Sequence, residues 1–200
     1  MVSYRTQRVL PVVLVIIIII IAVAALVSLA RAVFFSGESS TSEVVDVSRQ
    51  ALLNTSDGHS VAMTVRGPIV AQEEFNSYTI SVSPSSRTMT TYTGYLDTVV
   101  EQQALGNNVA AYEQFVYALD KADLADGREL DEDRDDVRGV CATGRVYEFF
   151  INDNGETVKR LWTSTCSGSR GSLDANVEQL RELFTAQIPD ARSLTSNISL

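Results

Sequence analysis

The stretch CATGRVYEFFINDNGETVKRLWTSTC, residues 141–166, has the chain's two cysteines at its ends. Two runs rich in aromatic and β-branched residues flank Asn152-Asp153-Asn154-Gly155, the pattern of a β-hairpin. Two registers fit it. A four-residue turn sets Cys141 opposite Cys166, Glu148 opposite Lys159, Val146 opposite Leu161 and Arg145 opposite Trp162. A two-residue Asn154-Gly155 turn instead pairs Tyr147 with Trp162 and Ile151 with Val158, and leaves the cysteines diagonal. Diagonal α-carbons lie about 7–8 Å apart, so the second register needs a bulge before a disulfide forms. Either way the spacing predicts a Cys141–Cys166 staple. A redox pair would need Cys-x-x-Cys near a helix N-terminus, and zinc would need ligands beyond the single histidine, His59.

Just beyond the hairpin, Ser167-Gly168-Ser169-Arg170-Gly171-Ser172 joins small residues with free N–H groups to an arginine ahead of a helix, a composition suited to an anion or carboxylate. It lacks the spacing and lysine of a phosphate-binding loop. The helix follows in SLDANVEQLRELFTAQIPD, with Ser172 as its expected N-cap, Asp174 in its first turn, an apolar stripe of Leu173, Val177, Leu180, Phe184 and Ile188, and Pro189 as its stop.

Before the hairpin, residues 120–136 carry nine acids against three bases. Asp131, Asp133 and Asp135 fall at the first, third and fifth positions of a calcium loop, but Asp136 stands where glycine is needed and Ala142 where glutamate is needed. A solvated acidic loop is the expectation, with calcium as the weaker reading. A helix opened by Gly106-Asn107-Asn108, with an asparagine as N-cap, Val109, Tyr112, Val116 and Leu119 at helical spacing and Phe115 broadening the face, is expected to run to Gly127.

Further upstream, SVAMTV (60–65) reads as a strand stopped by Gly67-Pro68. FNSYTISV (75–82) and RTMTTYTGY (87–95) read as a hairpin around Pro84. Tyr78, Tyr92, Tyr95, Tyr112, Tyr117 and Tyr147 are expected mostly as half-buried core, with a recognition surface as the alternative. His59 stands beside Ser56 and Asp57, but sequence neighbours seldom form a catalytic triad, because their side chains diverge. It is expected in a turn or at an exposed strand edge.

The order of these elements predicts an α+β domain over 59–190, an antiparallel sheet with two amphipathic helices on one face, followed by a tail at 191–200. Ahead of it, residues 36–58 read as a polar tether, with a short helical continuation from Val44 to Leu53. From Val9 to Ala30 there are 22 residues without charge, which as a helix would span about 33 Å, the depth of a bilayer core. A cleaved signal peptide competes, but its apolar region would be shorter. An uncleaved transmembrane helix over 9–35 is expected. Arg5 and Arg8 place residues 1–8 in the cytoplasm and the rest outside. Residues 36–200 carry 13 basic and 25 acidic side chains, a net −12 that disfavours nucleic acid and anionic lipid and favours basic partners.

The segments GPIVAQEEFNSY, SRTMTTYTGY, GNNVAAYEQFVYAL, RGVCATG and TSTCSGSRGSLDANVEQL resemble those of uncharacterised bacterial single-pass, membrane-anchored envelope proteins. That resemblance implies an anchored, externally exposed domain and no particular activity. A pilin-like arrangement is suggested by the long apolar segment ahead of a small disulfide-bearing domain, but the Gly-Phe processing site and the early glutamate of pilins are missing. The expected function is non-catalytic binding or assembly in the envelope, with an envelope protein as partner and no cofactor. A small envelope hydrolase using the Ser167–Ser172 loop is the alternative, and a filament subunit the next.

Overall fold

A computed structural model describes residues 47–200 apart from Glu129. The expected membrane helix at 9–35 and the tether up to residue 46 lie outside the described residues. Among the described residues, no helix is long and apolar enough to cross a membrane.

The elements are α1 (Val47–Leu53), β1 (His59–Arg66), β2 (Asn76–Val82), β3 (Ser86–Thr93), β4 (Thr98–Gly106), α2 (Val109–Lys121), the single turn α3 (Glu132–Asp135), β5 (Val146–Asp153), β6 (Glu156–Ser164), α4 (Val177–Thr185) and α5 (Ala191–Ser196). The strands form one antiparallel sheet in the order β4-β3-β2-β1-β5-β6. This is the α+β class that the order of elements predicted.

Alternation along the strands decides which face is covered. Val61, Met63 and Val65 of β1 join Tyr78, Ile80 and Val82 of β2, Met89 of β3 and Tyr147, Phe149 and Ile151 of β5 in one buried cluster. Four helices close that face rather than two, through Leu52 of α1, Tyr112, Phe115, Val116 and Leu119 of α2, Leu180 and Phe184 of α4, and Ala191 and Leu194 of α5. Phe184 meets Phe115 edge-on with ring centroids 5.3 Å apart. The polar tether therefore ends before its expected boundary at residue 58, because Leu52 is fully buried. The expected tail at 191–200 likewise starts with a helix. Its end is also tied down, since Arg145 donates to the Leu200 carbonyl at 3.0 Å and Asn76 to that of Ser199 at 3.3 Å.

The helix expected to run to Gly127 stops at Lys121. Asp123 takes φ +60°, Asp123 N–H donates to the Asp120 carbonyl at 3.0 Å, and Leu124 N–H donates to that of Leu119 at 3.0 Å. This is a Schellman cap with aspartate in the left-handed position usually held by glycine. At the other end, Asn108 caps as expected, accepting from Ala111 N–H at 2.9 Å. Val109 lies outside the buried stripe, half exposed.

The last long helix starts later than expected. Asn176, not Ser172, is its N-cap, accepting from Glu178 and Gln179 N–H at 3.0 and 3.2 Å. Asp174 precedes it, and Ser172 is buried with its hydroxyl accepting from Trp162 N–H at 3.0 Å. Residues 171–173 are pulled away from the helix because Ser172 and Leu173 N–H both bond the Trp162 carbonyl at 3.0 Å. Asn176→Ala is expected to lower stability by about 1 kcal/mol, and Ser172→Ala should not behave as a cap deletion; urea unfolding of the two variants checks both.

The six tyrosines divide. Tyr78, Tyr112 and Tyr147 are buried, while Tyr95 and Tyr117 are about half exposed. Burial pushes the Tyr78 hydroxyl from 10.0 up to about 12 and pushes Tyr112 higher still. Both folded values lie above the unfolded one, so the stability these neutral phenols contribute is complete below about pH 10 and is lost as pH rises through about 12. The expected result is alkaline unfolding in that window, with tyrosinate absorbance and near-ultraviolet dichroism changing together.

Candidate ligand-binding site

The face of the sheet away from the helices is polar at its centre. Thr64, Thr79 and Thr90 lie in adjacent strands on one row, with Gln102 beyond them. Thr64 and Thr79 hydroxyls meet at 2.9 Å, and Gln102 donates to Thr90 at 3.0 Å. The same row continues to Glu148 of β5, which is buried. Two guanidiniums grip this carboxylate, Arg66 through Nε at 2.8 Å and Arg160 through Nε at 3.1 Å. Arg160 also reaches the Asp135 carboxylate at 2.9 Å, and Trp162 Nε1 donates to its other oxygen at 2.9 Å.

The hairpin register explains why Trp162 is on this face. Asn154 and Gly155, at φ +50° and +84°, form the two-residue turn, with Asp153 opposite Glu156. These positive values are what a type I′ turn requires. A bulge then leaves Val158 unpaired, because Asn152 faces Thr157 while Ile151 faces Lys159. The two-residue turn is the one found, with the bulge that this register needed beside it, and the four-residue turn does not form. Without the bulge, Trp162 would face Tyr147 on the helix side. With it, Leu161 faces Phe149 in the core and Trp162 faces Glu148. One extra residue reverses every later side chain of β6. Glu148 accordingly pairs with Arg66 and Arg160 and not with Lys159, and Arg145 does not face Trp162.

The staple forms all the same. The ladder ends at Val146 and Ser164, and the chain bends through Gly144, where a Cβ would collide with the Thr165 hydroxyl and the Cys141 sulfur. This brings Cys141 and Cys166 into a disulfide with α-carbons 5.4 Å apart. Residues 130–145 are thereby fixed to the open face at two places, by the disulfide and by Asp135. Leu130, Val137 and Val140 pack there against Cys141, Val146 and Trp162 as a second, smaller core.

A cavity opens on each side of this strap. The first has a volume of about 530 Å³ and is walled by Ile69, Phe75, Tyr95, Val137, Cys141 and Val146, with Arg66 and Arg138 at its edge. Its apolar wall is preformed. Tyr95 stacks on Phe75 with centroids 4.1 Å apart, and its hydroxyl donates to the Val70 carbonyl at 2.8 Å. Ile69 N–H donates to the Ala142 carbonyl at 2.9 Å, which ties this wall to the strap. Arg138 is held against Asp136, whose carboxyl its hydrogen bonds lower from 3.8 to about 2. The second cavity, about 590 Å³, lies over Trp162 between Arg128, Arg134 and the Gly168–Gly171 part of the small-residue loop.

The calcium reading is not supported by the arrangement of its three residues. Asp131 pairs with Arg134, Asp135 serves Arg160 and Trp162, and Asp133 is exposed. Among the described residues, no group of three His, Cys, Asp or Glu side chains is placed to hold a metal. His59 is buried rather than at an exposed edge. Its Nδ1 lies 3.2 Å from the Ser56 hydroxyl and its Nε2 3.3 Å from Asp153, a carboxylate supplied by the hairpin tip and not by neighbouring Asp57. Ser56 also lies 2.7 Å from Asn54 Oδ1. The trio ties the turn before β1 to the β5–β6 turn, where Asn154 N–H also donates to the Gly58 carbonyl at 2.9 Å.

Within the small-residue loop, the Ser169 hydroxyl donates to the Val140 carbonyl at 2.9 Å, and Ser164 donates to the Ser169 carbonyl at 2.7 Å. Arg66, Arg160 and their joint hold on Glu148 were not legible in the sequence, since the partners are far apart in the chain, and Tyr95 stood out only as one of six tyrosines. Arg66 and Glu148 are separated by 82 residues. A weak signal was present for the wall, an aromatic residue beside Gly94 in a turn. Neither a scan against protein-family models nor a search of curated proteins found a match for the chain.

Proposed function

We propose that this chain is a membrane-anchored, extracytoplasmic binding protein of the cell envelope whose domain holds a small amphipathic anion in the cavity walled by Phe75 and Tyr95. The observation that carries this reading is the cavity itself. It is apolar, it has two guanidiniums at its edge, and its 530 Å³ fits the size range of small-molecule sites. An acyl or aromatic body would displace water from Ile69, Tyr95, Val137 and Val146, while a carboxylate would meet the Nη groups of Arg66, whose Nε alone serves Glu148. Anchoring rests on the uncharged stretch from Val9 to Ala30 and on the arginines before it. The binding character is supported by the Ser169 hydroxyl, which donates to the Val140 carbonyl rather than to a base. The single histidine is engaged at the other end of β5, opposite Asp153. No specific observation favours the hydrolase or the filament subunit.

The test is photocross-linking of the full-length protein in lipid nanodiscs with a diazirine-bearing fatty acid. Label is expected on peptides containing Ile69, Tyr95 and Val137, and Tyr95→Ala is expected to reduce it at least tenfold. Label confined to residues 9–35, or undiminished in Tyr95→Ala, goes against the reading.

A further inference from the structure

The second cavity gathers positive charge in a strongly acidic domain. Arg128, Arg134 and Arg170 line it against Asp133 and Asp136. Two of these five are already matched elsewhere, Arg134 by Asp131 and Asp136 by Arg138. Among the described residues, what remains is Arg128 and Arg170 with the single charge of Asp133, while residues 36–200 as a whole carry 25 acids against 13 bases.

Backbone pairing brings the two arginines together. Gly127 bridges to Leu173, and Arg128 N–H donates to the Ser172 carbonyl at 3.0 Å, so residues 127–128 run beside residues 171–173. The Arg128 guanidinium then donates to the Gly171 carbonyl through Nε at 3.2 Å and Nη2 at 2.9 Å. A neutral carbonyl leaves its charge unmatched and its Nη1 free to donate. Arg170, next along the loop, is exposed and makes no hydrogen bond or ion pair among the described residues. Gly168 and Gly171, at φ +92° and +68°, turn the chain around Ser169 and Arg170. At Gly171 a Cβ would strike the Trp162 backbone, so the close approach of loop and strand depends on that glycine. The Trp162 indole forms part of the wall, its Nε1 fixed on Asp135 at 2.9 Å.

We propose that this cavity is a second binding site, for the phosphate group of a small soluble phosphomonoester, gripped by Arg128 and Arg170 above Trp162. A carboxylate presents two oxygens in one plane and is satisfied by a single guanidinium fork. Arg128 and Arg170 come from two separate segments that line one cavity, and together they offer more donors than the two oxygens of a carboxylate accept, which suits a tetrahedral oxyanion. The negative domain disfavours docking against an anionic membrane surface and points to a soluble source for the phosphate. The site is independent of the apolar cavity and draws on different side chains.

Trp162 is the chain's single tryptophan, so intrinsic fluorescence of the full-length protein reports on this cavity. Inorganic phosphate, glycerol phosphate and acetate would be titrated at constant ionic strength, alongside vesicles of phosphatidylglycerol. The expected result is a saturable change with the two phosphates and not with acetate. Arg170→Glu should weaken it at least tenfold with an unchanged melting temperature, because that side chain is exposed and unpaired. Arg128→Gln should weaken it to a similar degree. No saturable change, an equal response to acetate, an unaltered response in Arg170→Glu, or a response to vesicles alone would each overturn the assignment. Photolabelling at Tyr95 is read separately, so either site can fail without the other.

Discussion

Glu148→Ala is expected to destabilise the domain by about 3–5 kcal/mol, the range for removing one member of a buried ion pair. The carboxylate is 4% exposed and accepts from Arg66 and Arg160. Its loss would leave two guanidiniums beside an emptied buried position. Arg66 is 37% exposed and can turn towards water, which places the expected cost at the lower end of the range. Arg160 is less free, since it is also bonded to the Asp135 carboxylate and carbonyl. Chemical denaturation of the single variant is one half of the check. The other is Arg66→Met with Glu148→Leu, which leaves Arg160 on Asp135 and should recover most of the loss, because the cost comes from stranded charge rather than from a missing attraction. If Glu148→Ala unfolded at the same urea concentration as the parent, the carboxylate would not be holding the open face together.

Reduction of Cys141–Cys166 is expected to cost about 2–4 kcal/mol. The chain-entropy model gives about 3–4 kcal/mol for a loop of this length, and the preformed β5–β6 ladder lowers it, since the unfolded loop is already restrained in part. The helix-covered face should stay folded, because its buried cluster draws nothing from the cysteines. The strap should loosen, for the smaller core around Val146 and Trp162 contains both sulfurs. Thermal unfolding with and without reductant measures the first effect. Hydrogen exchange measures the second, with faster exchange expected at residues 136–145 and little change along β1 and β2. Equal exchange throughout would mean that Asp135 alone suffices to hold the strap.

The strands β1, β2 and β3 were legible from their β-branched and aromatic residues and the turn signals that bound them, and β2 also from its alternation. β4 was not, for Thr98–Gly106 lies at the sheet edge with most of its residues exposed. With neither face fully buried, the sequence carries no period of two, and the strand is held by its ladder to β3. The helix around Tyr112 was legible from its spacing and from Asn108. Its end was misplaced because aspartate, rather than glycine, occupies the left-handed cap. At α4, Ser172 is the cap that local chemistry suggests and Asn176 the one that forms. The choice is made by Trp162, whose carbonyl and N–H engage Ser172 from a strand ten residues away.

What the residues decide by themselves is whatever depends on neighbours within a turn or a strand: the α+β class, an asparagine cap ahead of Val109 and the cysteine staple, while the hairpin turn stays open between two registers. The tertiary structure alone decides what depends on groups distant in the chain. It places a bulge at Val158 that sends Leu161 into the core and Trp162 to the open face. It sets Glu148 between Arg66 and Arg160, and lays an acidic segment over the sheet so that a cavity forms on each side. Burial of Leu161 and the pairing of a buried charge are satisfied across strands, and separation along the chain leaves no trace of either in local sequence.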